Sequence, residues 1–188
     1  MSANKKITAS DLGLHLTLAQ PSEASSEYFK WFLACLLFGK PVQQEVAKRA
    51  YFELIHDNIT SPEAILDAGW DKLVEMLDRG HYVRHDFSTA TKLLDVSTGI
   101  KEEYGSFGQL VEGAGSREEL EKRLQSFRGV GPKTVEIFLR DMEPVLEIVS
   151  LIHPFATLNL RMHPLLADGL CCGNMAQSLE GQLRMWKL

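Results

Sequence analysis

The chain has 188 residues, 45% of them hydrophobic and 24% charged, and its 20 basic and 25 acidic side chains leave a formal charge of −5. These proportions fit a folded globular protein of one sizeable domain or two small ones, and exclude a disordered polyelectrolyte. The negative balance also excludes a protein that coats nucleic acid by bulk positive charge, while leaving room for a local contact set by a few well-placed cations and backbone donors.

Residues 1–20 read as a polar lead. MSANKKITAS carries lysines with no apolar stretch behind them, so no signal peptide is expected. A cytoplasmic protein is expected, nucleoid-associated if prokaryotic. Pro21-Ser22-Glu23 offers a helix start, and Tyr28 to Phe38 is apolar nearly all round, as a buried central helix requires. Its core, Trp31 to Phe38, is the longest apolar run and is flanked by Lys30 and Lys40, too short to span a bilayer. Pro41 suits the first turn of a second helix, in which Val42, Val46, Ala50 and Leu54 form one stripe.

Ser61-Pro62-Glu63 pairs an N-cap with proline at the first helical position and starts a short helix through Leu66. Leu73, Val74, Met76 and Leu77 mark another, closed by Gly80. Asp86 or Ser88 caps a longer helix through Ala90, Leu93, Leu94 and Val96, with Gly99 weakening its far end. Ser116 to Glu119 is a capping box that opens a helix through Leu120, Leu124 and Phe127. Pro144 is expected to end the helix that follows, and residues 144–188 read as a segment of uncertain structure packed on the same domain. The expected class is therefore all-α, with a helical region over 21–143.

Within that region FRGVGPKTVEIFLRDM, residues 127–142, follows the capped helix directly and makes a helical hairpin over 116–142. Gly129 and Gly131 permit positive φ and close backbone approach, and Val130 plugs the gap between the helices. The turn's amides, with the positive end of the second helix behind them, form an anion site suited to a phosphodiester.

Phe127-Arg128-Gly129-Val130-Gly131-Pro132-Lys133-Thr134 resembles the helix-hairpin-helix of DNA-binding proteins, and the helices before it are similar in order to the endonuclease III-like DNA glycosylase superfamily. The resemblance spans roughly residues 25–142 and implies two apposed helical lobes that bind double-stranded DNA carrying a damaged base or an abasic site. It implies DNA contact by Arg128, Gly129, Val130, Gly131, Lys133 and Thr134 in the hairpin, by Lys40 and Gln43 in the segment after the apolar helix, and by Tyr82 and Arg84.

Lys133 falls on the family's catalytic lysine. The implied chemistry is attack of its amine on C1′ of the damaged nucleoside, expulsion of the base, and strand cleavage by β-elimination from a Schiff base, with the base flipped out of the duplex.

The sequence departs from the family pattern in two places. The family's essential aspartate would fall in Ile148 to His153, which holds no carboxylate. Asp141 and Glu147 are the nearest acids; Asp141 is expected at the exposed end of the hairpin's second helix, leaving Glu147 as the substitute. The cysteine loop of many relatives is absent, and Cys35, Cys171 and Cys172 lack metal-site spacing, so no iron–sulfur cluster, other metal or cofactor is expected. His81 and His85 are expected to be solvated. The expected function is a monomeric N-glycosylase or abasic-site lyase of DNA repair. The alternatives are a DNA-binding relative that has lost catalysis and a helical protein-interaction domain.

Overall fold

Seven α-helices and one short 3-10 turn account for the regular structure among the described residues, with no strand. The computed structural model describes residues 6–16 and 21–161, and of 21–23 and 148–161 the backbone alone. No helix among them is long and apolar enough to cross a membrane. The chain divides into Met1–His153 and Pro154–Leu188, and the described part of the second is the helical stretch 154–161.

α1 (Pro21–Phe38) is the axis of the first unit. Trp31 through Leu37 are each at most 1% exposed, as a helix apolar on every face must be if it is to fold at all. Phe32 stacks on Phe107 at 4.9 Å between centroids and meets Phe138 edge-on at 5.6 Å, tying α1 to α5 (Phe107–Glu112) and to α7 (Pro132–Arg161). The Trp31 indole donates to the Phe138 carbonyl at 3.2 Å, which satisfies its N–H inside the core.

α2 (Gln44–His56) begins later than the sequence suggests, because Pro41 lies in the turn before it and Gln43 is its N-cap. Its buried stripe is Ala47, Ala50, Tyr51 and Leu54. α3 (Pro62–Arg79) is two helical segments joined at Gly69, whose φ of 74° and ψ of 173° break the helical path. Ser61 caps its start by accepting from the Ala64 amide at 3.2 Å. At its end Gly80 has φ −73°, and His81 takes the left-handed conformation at φ 61°. Gly80 is glycine for another reason: a Cβ there would stand 2.4 Å from the Ala50 Cα on α2.

α4 (Asp86–Tyr104) runs through Gly99 without interruption. Its glycine seats the Phe127 ring, since a Cβ at 99 would meet two ring carbons at 2.9 Å. α5 was not expected from the sequence; it is short, and its Ser106 cap is its clearest signal. α6 (Arg117–Ser126) starts as the capping residues predict: Ser116 accepts from the Glu119 amide at 3.2 Å, and Glu119 reaches back to the Gly115 amide at 3.0 Å.

Two expectations need correction. Pro144 does not end α7, which continues to Arg161 despite the lost bond to the Arg140 carbonyl and the crowding of that carbonyl by the proline ring. The N-terminal segment is not a free polar lead either. Ala9, Leu12, Leu14 and Leu16 are buried, the Ala9 amide donates to the Asp141 carboxylate at 2.7 Å, and the Arg140 guanidinium donates to the Ile7 carbonyl. Asp141 is therefore a mostly buried anchor for that segment, not an exposed helix end. Cys171, Cys172 and the His163-Pro164 pair lie outside the described residues.

Candidate nucleic-acid interface

The hairpin is α6, a tight turn and α7. Phe127 leaves the helical path at ψ 129° and its carbonyl accepts from the Val130 amide at 3.1 Å, which closes the turn. Gly129 carries the positive φ this closure needs, +91°; Gly131 does not. Val130 is 7% exposed and fills the space between the helices. Gly131 then receives the first bond of α7, from the Val135 amide at 3.2 Å.

That geometry leaves backbone donors without intrahelical partners. The amides of Lys133 and Thr134 lie in the first turn, where no intrahelical acceptor exists, and Gly131 has no side chain to cap them. A Cβ on Gly131 would meet nothing within 4 Å, so the space over the turn is open. Arg128 and Lys133 flank it, both exposed. Lys133 pairs with Glu136 one turn on, at 2.9 Å, and the pairing holds the Glu136 carboxyl below its ordinary range.

Beneath the turn lies a second layer. The α1 C-terminal turn abuts the start of α7 so closely that a Cβ on Gly39 would stand 2.2 Å from the Thr134 hydroxyl oxygen. Thr134 is accordingly buried, and its side chain packs on α1 instead of facing solvent. Tyr82 is buried as well. Its hydroxyl donates to the Leu37 carbonyl at 2.9 Å, and burial pushes its phenol up to about 12. A side chain so placed cannot reach a ligand at the surface, which corrects its expected part in DNA contact; Arg84, two residues on, is exposed.

Lys92 is the residue the sequence did not single out. It lies on α4, 8% exposed, with its Cγ and Cδ against the bare Cα of Gly129 and its ammonium donating to the Leu36 carbonyl at 3.3 Å. Burial, and then the charge of Lys40, lower its pKa to about 8. Lys92 and Gly99 are two helical turns apart, so one face of α4 holds both seats of the hairpin, Gly129 on the lysine stem and Phe127 on the glycine.

Lys40 is half-buried and Gln43 exposed, both in the connection between α1 and α2. Val42 of that stretch and Gln44 at the start of α2, with Phe38, Lys6, Lys133 and Arg140, line a cleft of about 160 Å³ beside the first turns of α7. The structure thus sets Lys133 beside the residues that follow α1, and Lys40 near Lys92 beneath the turn. It does not bring Glu147 there. α7 is continuous, so Glu147 stands about 21 Å along the axis from Lys133 and Asp141 about 12 Å. The expectation that Glu147 replaces the missing aspartate fails for that reason, and the carboxylate nearest Lys133 is Glu136. Among the described residues no group of His, Cys, Asp and Glu is arranged to hold a metal ion, His81 and His85 included.

No family model, curated protein or solved structure matches this chain.

Proposed function

We propose that the protein binds double-stranded DNA through the phosphate backbone, using the turn at Gly129 to Gly131 and the first turn of α7. One observation carries the reading: at the mouth of a long helix, whose first-turn amides have no intrahelical acceptor, the space over Gly131 is open and exposed Arg128 and Lys133 stand beside it. Such donors hold a phosphodiester by hydrogen bonds that the helix dipole reinforces, and they read backbone, not sequence. Binding to a duplex without sequence preference, weakening steeply with salt, is the expected behaviour. Gly131→Glu is the test. A side chain at 131 has room, so the fold survives, while a carboxylate in the phosphate position abolishes duplex binding; unchanged affinity would falsify the reading.

A second reading, N-glycosylase or abasic-site lyase chemistry in the manner of endonuclease III-like proteins, is favoured by the cleft beside Lys133. Lys133 would be the nucleophile and Glu136, at 2.9 Å, the group able to take its proton. The exposed ion pair and the distance to every other acid on α7 make DNA binding without catalysis the simpler conclusion. Borohydride reduction on an abasic-site duplex separates lyase chemistry from binding alone: a covalent adduct lost in Lys133→Ala supports the lyase, and binding with no adduct removes it. A glycosylase that works without a Schiff base is tested by base release from lesion-bearing duplex.

A further inference from the structure

Lys92 is 8% exposed, and its ammonium, a three-donor cation, makes its hydrogen bond to a single backbone carbonyl. A plain capping role for the last turn of α1 accounts for that bond. It does not account for the position. The stem is clamped under Gly129, where a Cβ would come within 2.8 Å of its Cγ and Cδ, so the side chain is held against the turn whose outer side is the candidate phosphate seat. The C-terminal end of α1, with its partial negative charge, meets that ammonium through the Leu36 carbonyl. Without a cation there, that end would repel an anion bound above.

We propose that Lys92 is a positioning and electrostatic residue of the phosphate site: it supports the left-handed Gly129 from below and supplies a buried positive charge that attracts the bound phosphodiester through the turn. This rests on the DNA-binding reading of the hairpin. The charged groups on the elements that surround Lys92 include Lys40 on the α1–α2 connection, Arg128 and the Lys133–Glu136 ion pair on the hairpin, and on α4 itself the buried Asp86 and the exposed Asp95. Burial and then the charge of Lys40 oppose protonation of Lys92 in the free protein, and a phosphate above the turn works against them, so DNA binding and proton uptake on Lys92 reinforce each other. Burial already places its titration near pH 8, within reach of an affinity measurement.

The experiment uses the full chain, a mixed-sequence duplex, and Lys92→Met, which keeps the apolar stem and removes the charge. Wild-type affinity falls as the pH rises through about 8 at constant salt, whereas Lys92→Met binds roughly three- to tenfold more weakly at pH 7 and has lost that pH dependence. Thermal melting of the same variant gives a readout that a cap would not: removing a buried charge raises the melting temperature, and loss of an essential cap lowers it.

Lys92→Gln, which can still donate to Leu36, shares the DNA defect. Restoration of wild-type binding by glutamine, a lowered melting temperature in both variants, or wild-type affinity and pH profile in Lys92→Met each overturns the inference. If wild type binds and Gly131→Glu does not, such a failure falls on Lys92 alone. If wild type binds no duplex at any pH, the reading of the hairpin fails and the role of Lys92 with it.

Discussion

The rim of the hairpin and its floor are built from similar parts in opposite surroundings. At the rim Lys133 is 62% exposed in its side chain and pairs with Glu136 in water. Directly underneath, Lys92 is 8% exposed and faces a carbonyl. Glycines behave in the same divided way: Gly131 at the rim has open space over it, whereas Gly39 on the floor touches Thr134 and Gly129 rests on Lys92. Water screens and solvates the rim, so its charges cost little and are free to meet a ligand. The floor is close-packed, so every group there is either partnered or paid for in stability.

The largest expected effect removes the floor altogether. Trp31→Ala deletes a fully buried indole and its bond to the Phe138 carbonyl, and is expected to cost about 3–5 kcal/mol in denaturant unfolding, the hairpin loosening with the core. A loss below about 1 kcal/mol would mean that α7 does not depend on α1.

Next comes the pH dependence of stability. The Lys92 pKa is depressed from 10.5 to about 8 in the folded chain, so between those values the unfolded chain holds the proton more tightly. Stability therefore rises with pH through that window as the folded-state penalty is relieved, by up to about 3 kcal/mol from this group. Cys35, whose thiol burial holds well above its ordinary 9.0, and Tyr51 and Tyr82, whose phenols burial holds above 10.0, act in the opposite sense past those values, so the rise is cleanest between pH 8 and 9. Urea titrations of wild type and Lys92→Met across that range should show the slope in the first and not in the second.

Gly39→Ala is expected to cost about 1–3 kcal/mol, because its Cβ would collide with Thr134 and crowd the Cys35 carbonyl. Duplex affinity should fall with it, as α7 is pushed off α1. The smallest structural effect belongs to the rim. Glu136→Gln should leave the melting temperature unchanged and tighten duplex binding two- to threefold or so, since it frees Lys133 from its ion pair. Weaker binding in Glu136→Gln would show that the carboxylate orients Lys133 instead of competing for it.

Much of this was readable along the chain, and the part that was not has a common cause. Ser61 and Ser116 announce their helices because a cap is satisfied by the three residues that follow it. The burial of Trp31 to Leu37 follows from an unbroken apolar surface. The hairpin motif is likewise local. Pro144 misled because a proline's effect on a long helix depends on what packs around it, and that error carried Glu147 toward a site from which the continuous α7 holds it away. Tyr82 looked like a surface contact because nothing within its own segment shows that Leu37 lies opposite its hydroxyl.

The amino-acid order alone settled the helical class, the caps, the central buried helix and the turn with its glycines, since each depends on neighbours within about one or two helical turns. Packing between distant segments decided the rest: that Gly99 receives Phe127, that Gly39 admits Thr134, and that Lys92 rather than a residue of the motif lies under Gly129. Helical periodicity says which side chains share a face, but the partner across that face is chosen by the folded core, where a lysine's charge acquires its cost and, under the turn, its use.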